Sequence, residues 1–90
     1  YERQLTALIH SWRALFPGPE EPFLIAQLPG FRGNTPAHAS GWAEMREVQL
    51  AVADALPGVE AAVLLDLGDE TDIHPADKRP AAERLALLAL

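Results

Sequence analysis

The chain has 90 residues, a formal net charge of -6 at pH 7 and no cysteine. This length allows at most one domain, and the hydrophobic content of 49% is typical of globular proteins. The acidic balance argues against the basic patch on which nucleic-acid binding rests, and the lack of cysteine excludes disulfides and thiolate zinc sites. No apolar stretch approaches the roughly 20 residues of a membrane span, and the compartment is left open, a secreted or periplasmic one included.

Helical spacing of apolar residues predicts a first amphipathic helix, which ends at the turn-forming residues 16–19 and carries a stripe of Leu5, Leu8, Ile9, Trp12 and Leu15. Pro22 to Pro29 is a short apolar run bounded by prolines, which predicts a strand buried on both faces of a sheet. Gly30 to Gly41 is rich in turn residues and predicts a long loop.

A second helix is predicted from Trp42 to Leu56, with Ser40 or Gly41 as its cap and Pro57 after its end. The apolar run Ala61 to Gly68 predicts another fully buried strand. A third helix is predicted from about Asp77 to Leu90, capped by Asp77, with Pro80 in its first turn and an apolar face of Ala82, Leu85, Ala86 and Ala89.

This order of elements, α-β-α-β-α, predicts an α/β fold in which a helical crossover joins two parallel strands. Two parallel strands make a poor sheet alone, because their open edges and apolar faces need neighbours. We therefore expect the chain to be part of a larger domain or to pair with a copy of itself.

In open parallel sheets, ligands bind beyond the carboxyl ends of the strands, where Gly30 to Gly41 and Asp69 to His74 follow. There His74 is a candidate general base, which Asp72 would orient, and Pro75 would fix the backbone after it. Two other interpretations stay open: a solvated turn of Asp69, Glu70 and Asp72 that caps the third helix, and a metal site formed by Asp69, Asp72 and His74.

Several other polar or aromatic residues have structural explanations beside functional ones. Gln27 needs hydrogen-bond partners inside an apolar strand, which predicts a structural residue near the site. Trp42 and Trp12 lie on apolar stripes typical of a core, although Trp42 is also placed to touch a sugar ring. Arg46 and Gln49 lie one helical turn apart and would pair with the sheet, with a neighbouring carboxylate or with substrate. Asp66 would bond the turn that follows its strand.

Two motifs carry a family resemblance: WAEMREVQ, from Trp42 to Gln49, and DLGDETDIHPADK, from Asp66 to Lys78. With PFLIAQLPGF, ERLALLAL and the leading LIHSWRALF, they resemble the C-terminal part of the sialate O-acetylesterase family, carbohydrate O-acetylesterases of the SGNH hydrolase superfamily. The resemblance spans essentially the whole chain, residues 1–90, as the C-terminal part of one esterase domain that lacks the nucleophile-bearing segment.

The resemblance implies a flavodoxin-like, three-layer α/β/α fold and a serine esterase that removes acetyl groups from sugars such as sialic acid or xylan without a metal or cofactor. It assigns His74 as the base and Asp72 as the carboxylate that orients it. Many enzymes of this superfamily place the aspartate three residues before the histidine, where this chain has Thr71, so Asp69 is a substitute for Asp72.

The chain has no Gly-Gln-Ser-Asn block, the family's nucleophile motif, and its serines, Ser11 and Ser40, are predicted to be structural. Two functions remain open. One is the histidine-bearing part of an esterase that acts on an acetylated carbohydrate and is inactive alone, completed by an N-terminal half. The other is a non-catalytic module that binds carbohydrate or associates with itself as a homodimer.

Overall fold

The computed structural model describes residues 1–16, 21–31, 41–69 and 71–90. Its elements in chain order are α1 (Glu2–Leu15), β1 (Phe23–Ala26), α2 (Trp42–Ala55), β2 (Val59–Ala62) and α3 (Arg79–Ala89). The strands are parallel, with Phe23 opposite Val59 and Ala26 opposite Ala62. The predicted order of elements and the predicted parallel pairing are therefore confirmed. Within these ranges, no helix has the length and apolar character needed to cross a membrane.

Helices cover both faces of the small sheet. Ile9 of α1 and Val52 of α2 are the most buried side chains, at 1% and 2% exposure, and both pack with Val59 of β2. Successive side chains of a strand point to opposite faces, so Ala62 belongs to the other face, where α3 contacts both strands. The sheet thus lies between two helical layers, and the main core is between the sheet and the α1–α2 pair.

The predicted burial of both strands on both faces is wrong for β1, whose first three residues are half-buried and whose last, Ala26, is exposed. In β2, Val59 and Ala62 are buried, Ala61 is half-buried and Glu60 is exposed. The reason is the width of the sheet: each strand has one partner among the described residues, so neither is surrounded as a central strand would be.

The second strand also lies earlier in the chain than predicted and ends at Ala62 rather than at Gly68. β1 ends opposite Ala62, and the ladder adds one more bond, from the N–H of Gln27 to the carbonyl of Ala62 at 3.2 Å. The chain then turns, and the N–H of Leu67 donates to the carbonyl of Leu64 at 2.9 Å. An apolar run in the sequence cannot reveal that its strand partner has ended.

Two buried glutamines bind the main chain where the ladder stops. The Gln27 side chain, 3% exposed, accepts a hydrogen bond from the N–H of Leu64 at 3.1 Å. Gln49 of α2, 5% exposed, accepts one from the N–H of Leu28 at 2.9 Å. Both amides satisfy main-chain groups whose burial without a partner would be costly. The hydrogen-bond partners predicted for Gln27 are present, whereas Gln49 bonds the segment just after β1 rather than a strand residue.

Two predicted apolar faces are corrected by the structure. Trp12 is half exposed, and its ring centroid lies 6.2 Å from that of Phe23, so it belongs to the margin of the core. On α3, Leu85 is half-buried, whereas the three alanines predicted beside it are exposed. A helix that covers a sheet two strands wide buries a narrower stripe than its sequence offers, and the rest faces solvent.

The helix ends agree with the sequence in part. Gly41 is the N-cap of α2 and has a left-handed backbone, with φ 67°. The N–H of Arg79 donates to Asp77 Oδ1 at 3.2 Å, so Asp77 does bind the first turn of α3, although the N-cap position belongs to Lys78. The alternative cap Ser40, the stop signal at residues 17–19 and most of the predicted loop, residues 32–40, lie outside the described residues.

Candidate functional site

The segments that follow the two strands meet in a direct contact between main chains. Gly30, four residues after β1, forms a parallel bridge with Gly68, and its N–H donates to the carbonyl of Leu67 at 2.7 Å. We refer to this contact as the glycine bridge. It brings the segment after β1 and the segment after β2 together at the carboxyl edge of the sheet, as the parallel topology predicts.

Glycine is required at position 68 for two reasons. Its φ of 99° lies in a region that residues with a side chain rarely adopt. A Cβ atom there would overlap the carbonyl oxygen of Gly30 and would lie 2.9 Å from Pro29 Cβ. The sequence showed a glycine at the end of an apolar run, but no local signal gave its partner.

Trp42 stands beside the glycine bridge. Its indole N–H donates to the carbonyl of Pro29 at 2.7 Å, and its ring centroid lies 5.4 Å from that of Phe31. The side chain is half-buried. The first residue of α2 is thereby fixed to the segment that leaves β1, and an aromatic pair lies at the edge where the candidate site was predicted.

The histidine loop, which we define as Asp69 with residues 71–78, begins with turns built by its own carboxylates. Asp69 Oδ1 accepts from the N–H and the hydroxyl of Thr71, at 2.8 and 2.9 Å, and from the N–H of Asp72 at 3.1 Å. Asp72 Oδ1 accepts from the main-chain N–H of His74 at 2.8 Å. Carboxylates that bond main-chain groups two or three residues ahead are typical of aspartate-initiated turns.

These contacts place the predicted catalytic residues in a solvent-exposed loop. Asp69, Asp72 and His74 are all exposed. The hydrogen bonds from Thr71 and from the N–H of Asp72 hold the pKa of Asp69 below its usual value. The bond described for the Asp72 carboxylate goes to the main chain of His74, so orientation of the imidazole by Asp72 stays a prediction. Asp69 and Asp72 bond their own loop, as the solvated-turn interpretation requires, but among the described residues it is Asp77 that bonds the start of α3.

Arg84 of α3 binds the turn that precedes this loop, a contact that the sequence did not predict. Its guanidinium donates to both carboxylate oxygens of Asp66, at 2.5 and 2.7 Å, and to the carbonyl of Val63 at 2.7 Å. The hydrogen bonds from Arg84 lower the pKa of Asp66 to about 2. Asp66 was expected to bond the following turn, but a partner 18 residues away leaves no local pattern.

Arg46 is half-buried on α2, and Ser11 is exposed on α1. His10, a histidine that was not a candidate, is also exposed on α1. Among the described residues, no group of three or more His, Asp or Glu side chains could hold a metal ion, which applies also to Asp69, Asp72 and His74. His38, Ser40 and Glu70 lie outside the described residues.

A solved structure extends the resemblance seen in the sequence. The chain is similar to part of a carbohydrate acetylesterase from Xanthomonas citri, with 42% identity and a TM-score of 0.88 over 99% of this chain. The chain spans 21% of the length of that esterase. No protein-family model and no curated protein matches the chain.

The similar region includes the whole fold described above. It covers all five elements, so the α-β-α-β-α unit with parallel strands is a partial α/β unit of the kind found in that esterase. The similar protein is described as a carbohydrate acetylesterase, and this description does not identify the acetylated sugar. The histidine loop and the glycine bridge both fall within the matched region.

Proposed function

We propose that this chain is the histidine-bearing, C-terminal part of a serine carbohydrate O-acetylesterase of the SGNH type, related to the sialate O-acetylesterases. The observation that carries the proposal is the 42% identity over 99% of the chain with a carbohydrate acetylesterase. The chemistry of the loop beyond β2 agrees with it, because an exposed imidazole at the carboxyl edge of a parallel sheet is accessible to a substrate.

In the proposed reaction, a serine hydroxyl supplied by another segment of the esterase attacks the carbonyl carbon of an acetyl ester. His74 takes the hydroxyl proton and then gives it to the sugar oxygen as the ester bond breaks. Water then attacks the acetyl-serine, His74 takes one proton from it and passes this proton to the serine oxygen, and acetic acid leaves and ionises in the solvent. Asp72, or Asp69 in its place, stabilises the imidazolium that forms in each step.

Three other residues have supporting roles in this proposal. The aromatic pair that Trp42 forms with Phe31 provides an apolar surface at the strand ends, on which a sugar ring would pack. Gln27 accepts a hydrogen bond from the N–H of Leu64 and would thereby fix the main chain that leads from β2 to the site. Arg46, half-buried on α2, would contact a polar group of the substrate.

The test is an exchange of segments with the Xanthomonas citri esterase. We expect the 90 residues, put in place of the matching segment of that enzyme, to support hydrolysis of an acetylated sugar, and His74→Ala to lower kcat/KM by about a thousand-fold or more. The matched control is His10→Ala, which removes an exposed histidine from α1 and should leave the rate unchanged. Equal rates for the two variants would exclude His74 as the base.

A second function, a non-catalytic module that binds carbohydrate or pairs with itself, is favoured by one contact. Asp72 binds the main-chain N–H of His74, which gives that carboxylate a structural task in the loop. An inactive hybrid whose separate 90-residue chain still binds an acetylated sugar would support this function instead. We expect the isolated chain to release no acetate from a chromogenic acetyl ester in either case, because it has no nucleophile motif.

A further inference from the structure

The turn that follows β2 is held from two sides. From the sheet, Gln27 accepts the N–H of Leu64 at 3.1 Å. From α3, Arg84 donates to the carbonyl of Val63 at 2.7 Å and to both oxygens of Asp66. A guanidinium that binds a carboxylate with two parallel bonds fixes direction as well as distance, which a single contact does not.

The position of this contact in the chain matters more than its strength. Asp66 lies three residues before Asp69, where the histidine loop begins, and Arg84 lies in the helix that the loop enters. The ion pair therefore ties the two ends of the loop to each other. Because both side chains are partly or largely exposed, at 36% and 63%, the pair contributes little to the stability of the whole fold.

We propose that Arg84 and Asp66 are positioning residues that hold the histidine loop in its shape by closing its two ends. The proposal rests on the proposed function for what His74 does there, but the loop geometry that it concerns can be measured without any reaction. Neither residue is expected to touch the substrate.

Asp69 reports on this geometry. Its lowered pKa depends on the hydrogen bonds from Thr71 and Asp72, which exist only while the first turn of the loop keeps its shape. If the closure at Asp66 is lost and the turn opens, these bonds weaken and the pKa of Asp69 rises toward the ordinary value of about 3.9.

The experiment is an NMR titration of the Asp69 carboxyl group in the 90-residue chain and in three variants. Arg84→Lys keeps the positive charge but cannot form the two-pronged bond. Asp66→Asn removes a nearby negative charge, which by itself would lower the pKa of Asp69, so that a rise must come from the change in shape. Arg79→Lys is the matched control, because it weakens the exposed pair of Arg79 with Glu83 one turn earlier on α3.

We expect the pKa of Asp69 to rise in Arg84→Lys and in Asp66→Asn and to stay unchanged in Arg79→Lys, with the same far-UV circular dichroism in all four proteins. An Asp69 pKa that stays low in both Arg84→Lys and Asp66→Asn would overturn the proposal. The outcome is independent of the segment exchange: an inactive hybrid would contradict the proposed function and leave the titration result standing.

Discussion

Gly68 allows the two strand ends to touch, so its replacement tests the glycine bridge at the scale of one residue. We expect Gly68→Ala to lower the free energy of unfolding by about 2 kcal/mol or more, since it adds both backbone strain and overlap. The overlap is with the carbonyl oxygen of Gly30 and with Pro29, whose Cβ lies 2.9 Å from the added atom. Urea unfolding followed by circular dichroism measures the loss.

The chain supplies a matched control for this substitution in Gly41. Its φ of 67° is also positive, but a Cβ atom there would meet nothing within 4 Å. Gly41→Ala therefore adds strain without overlap, and we expect a loss of only about 1 kcal/mol. Equal losses for the two variants would mean that the close approach to Gly30 contributes nothing, contrary to the geometry.

At the scale of the element, α3 is fixed to the turn after β2 through Arg84, and this contact makes stability depend on pH. The folded pKa of Asp66 is about 2, below the value of 3.8 for a free aspartate. Because the pair is exposed, its contribution to stability is small. The lowered folded pKa means that this small contribution is fully present above about pH 4 and is lost as the pH falls toward 2.

The comparison of the wild-type chain with Asp66→Asn isolates this effect from the other carboxylates. We expect the difference in urea midpoint between the two proteins to be present at about pH 5 and to shrink toward zero at about pH 2. Because the pair is exposed, added salt should reduce the difference at the higher pH. A difference that is the same at both pH values would contradict the contact.

The elements were predictable to the extent that their signals are local. Both α1 and α2 were predicted from apolar residues that recur about once per helical turn. Ile9 and Val52 belong to these two series, and residues spaced in this way lie on one face of a helix. The end of β2 at Ala62 was not predictable, because it depends on where β1 stops. The narrow stripe buried on α3 depends in the same way on the width of the sheet.

In the candidate site, too, the residues with a local signal were predicted and the long-range contacts were not. Motif and resemblance led to Asp72 and His74, and the polar residue in an apolar strand led to Gln27. The partner of Asp66 on α3 and the contact between Gly30 and Gly68 depend on packing between distant segments. Contacts of this kind leave no local pattern in the sequence and could not be predicted from it.

At the scale of the whole molecule, the chain exposes much of its apolar surface. The radius of gyration is 14.4 Å, against about 12 Å for a compact domain of this length. Among the described residues, large hydrophobic side chains that are at least half exposed include Trp12, Phe16, Leu65 and Leu87. Exposed apolar side chains and unpaired strand edges favour association with another polypeptide surface.

We therefore expect the isolated chain to associate with itself, with a sedimentation mass above 9.8 kDa that rises with concentration. Leu87, 70% exposed, lines a groove of about 370 Å³ between α3 and the end of β2. Leu87→Glu should shift the equilibrium toward the monomer, whereas Ala89→Glu, which adds the same charge to the same helix, should have a smaller effect. A compact monomer at every concentration would contradict this expectation.

The glycine bridge has a consequence for how such a site can vary. It joins main chain to main chain, so at this contact no side chain sets the distance between the two segments that leave the strands. Residues beyond the bridge are therefore free to be exchanged without changing the spacing of the scaffold beneath them. The spacing at the carboxyl edge of the sheet is thus set by two glycines, and the residues that carry the proposed chemistry lie outside that contact.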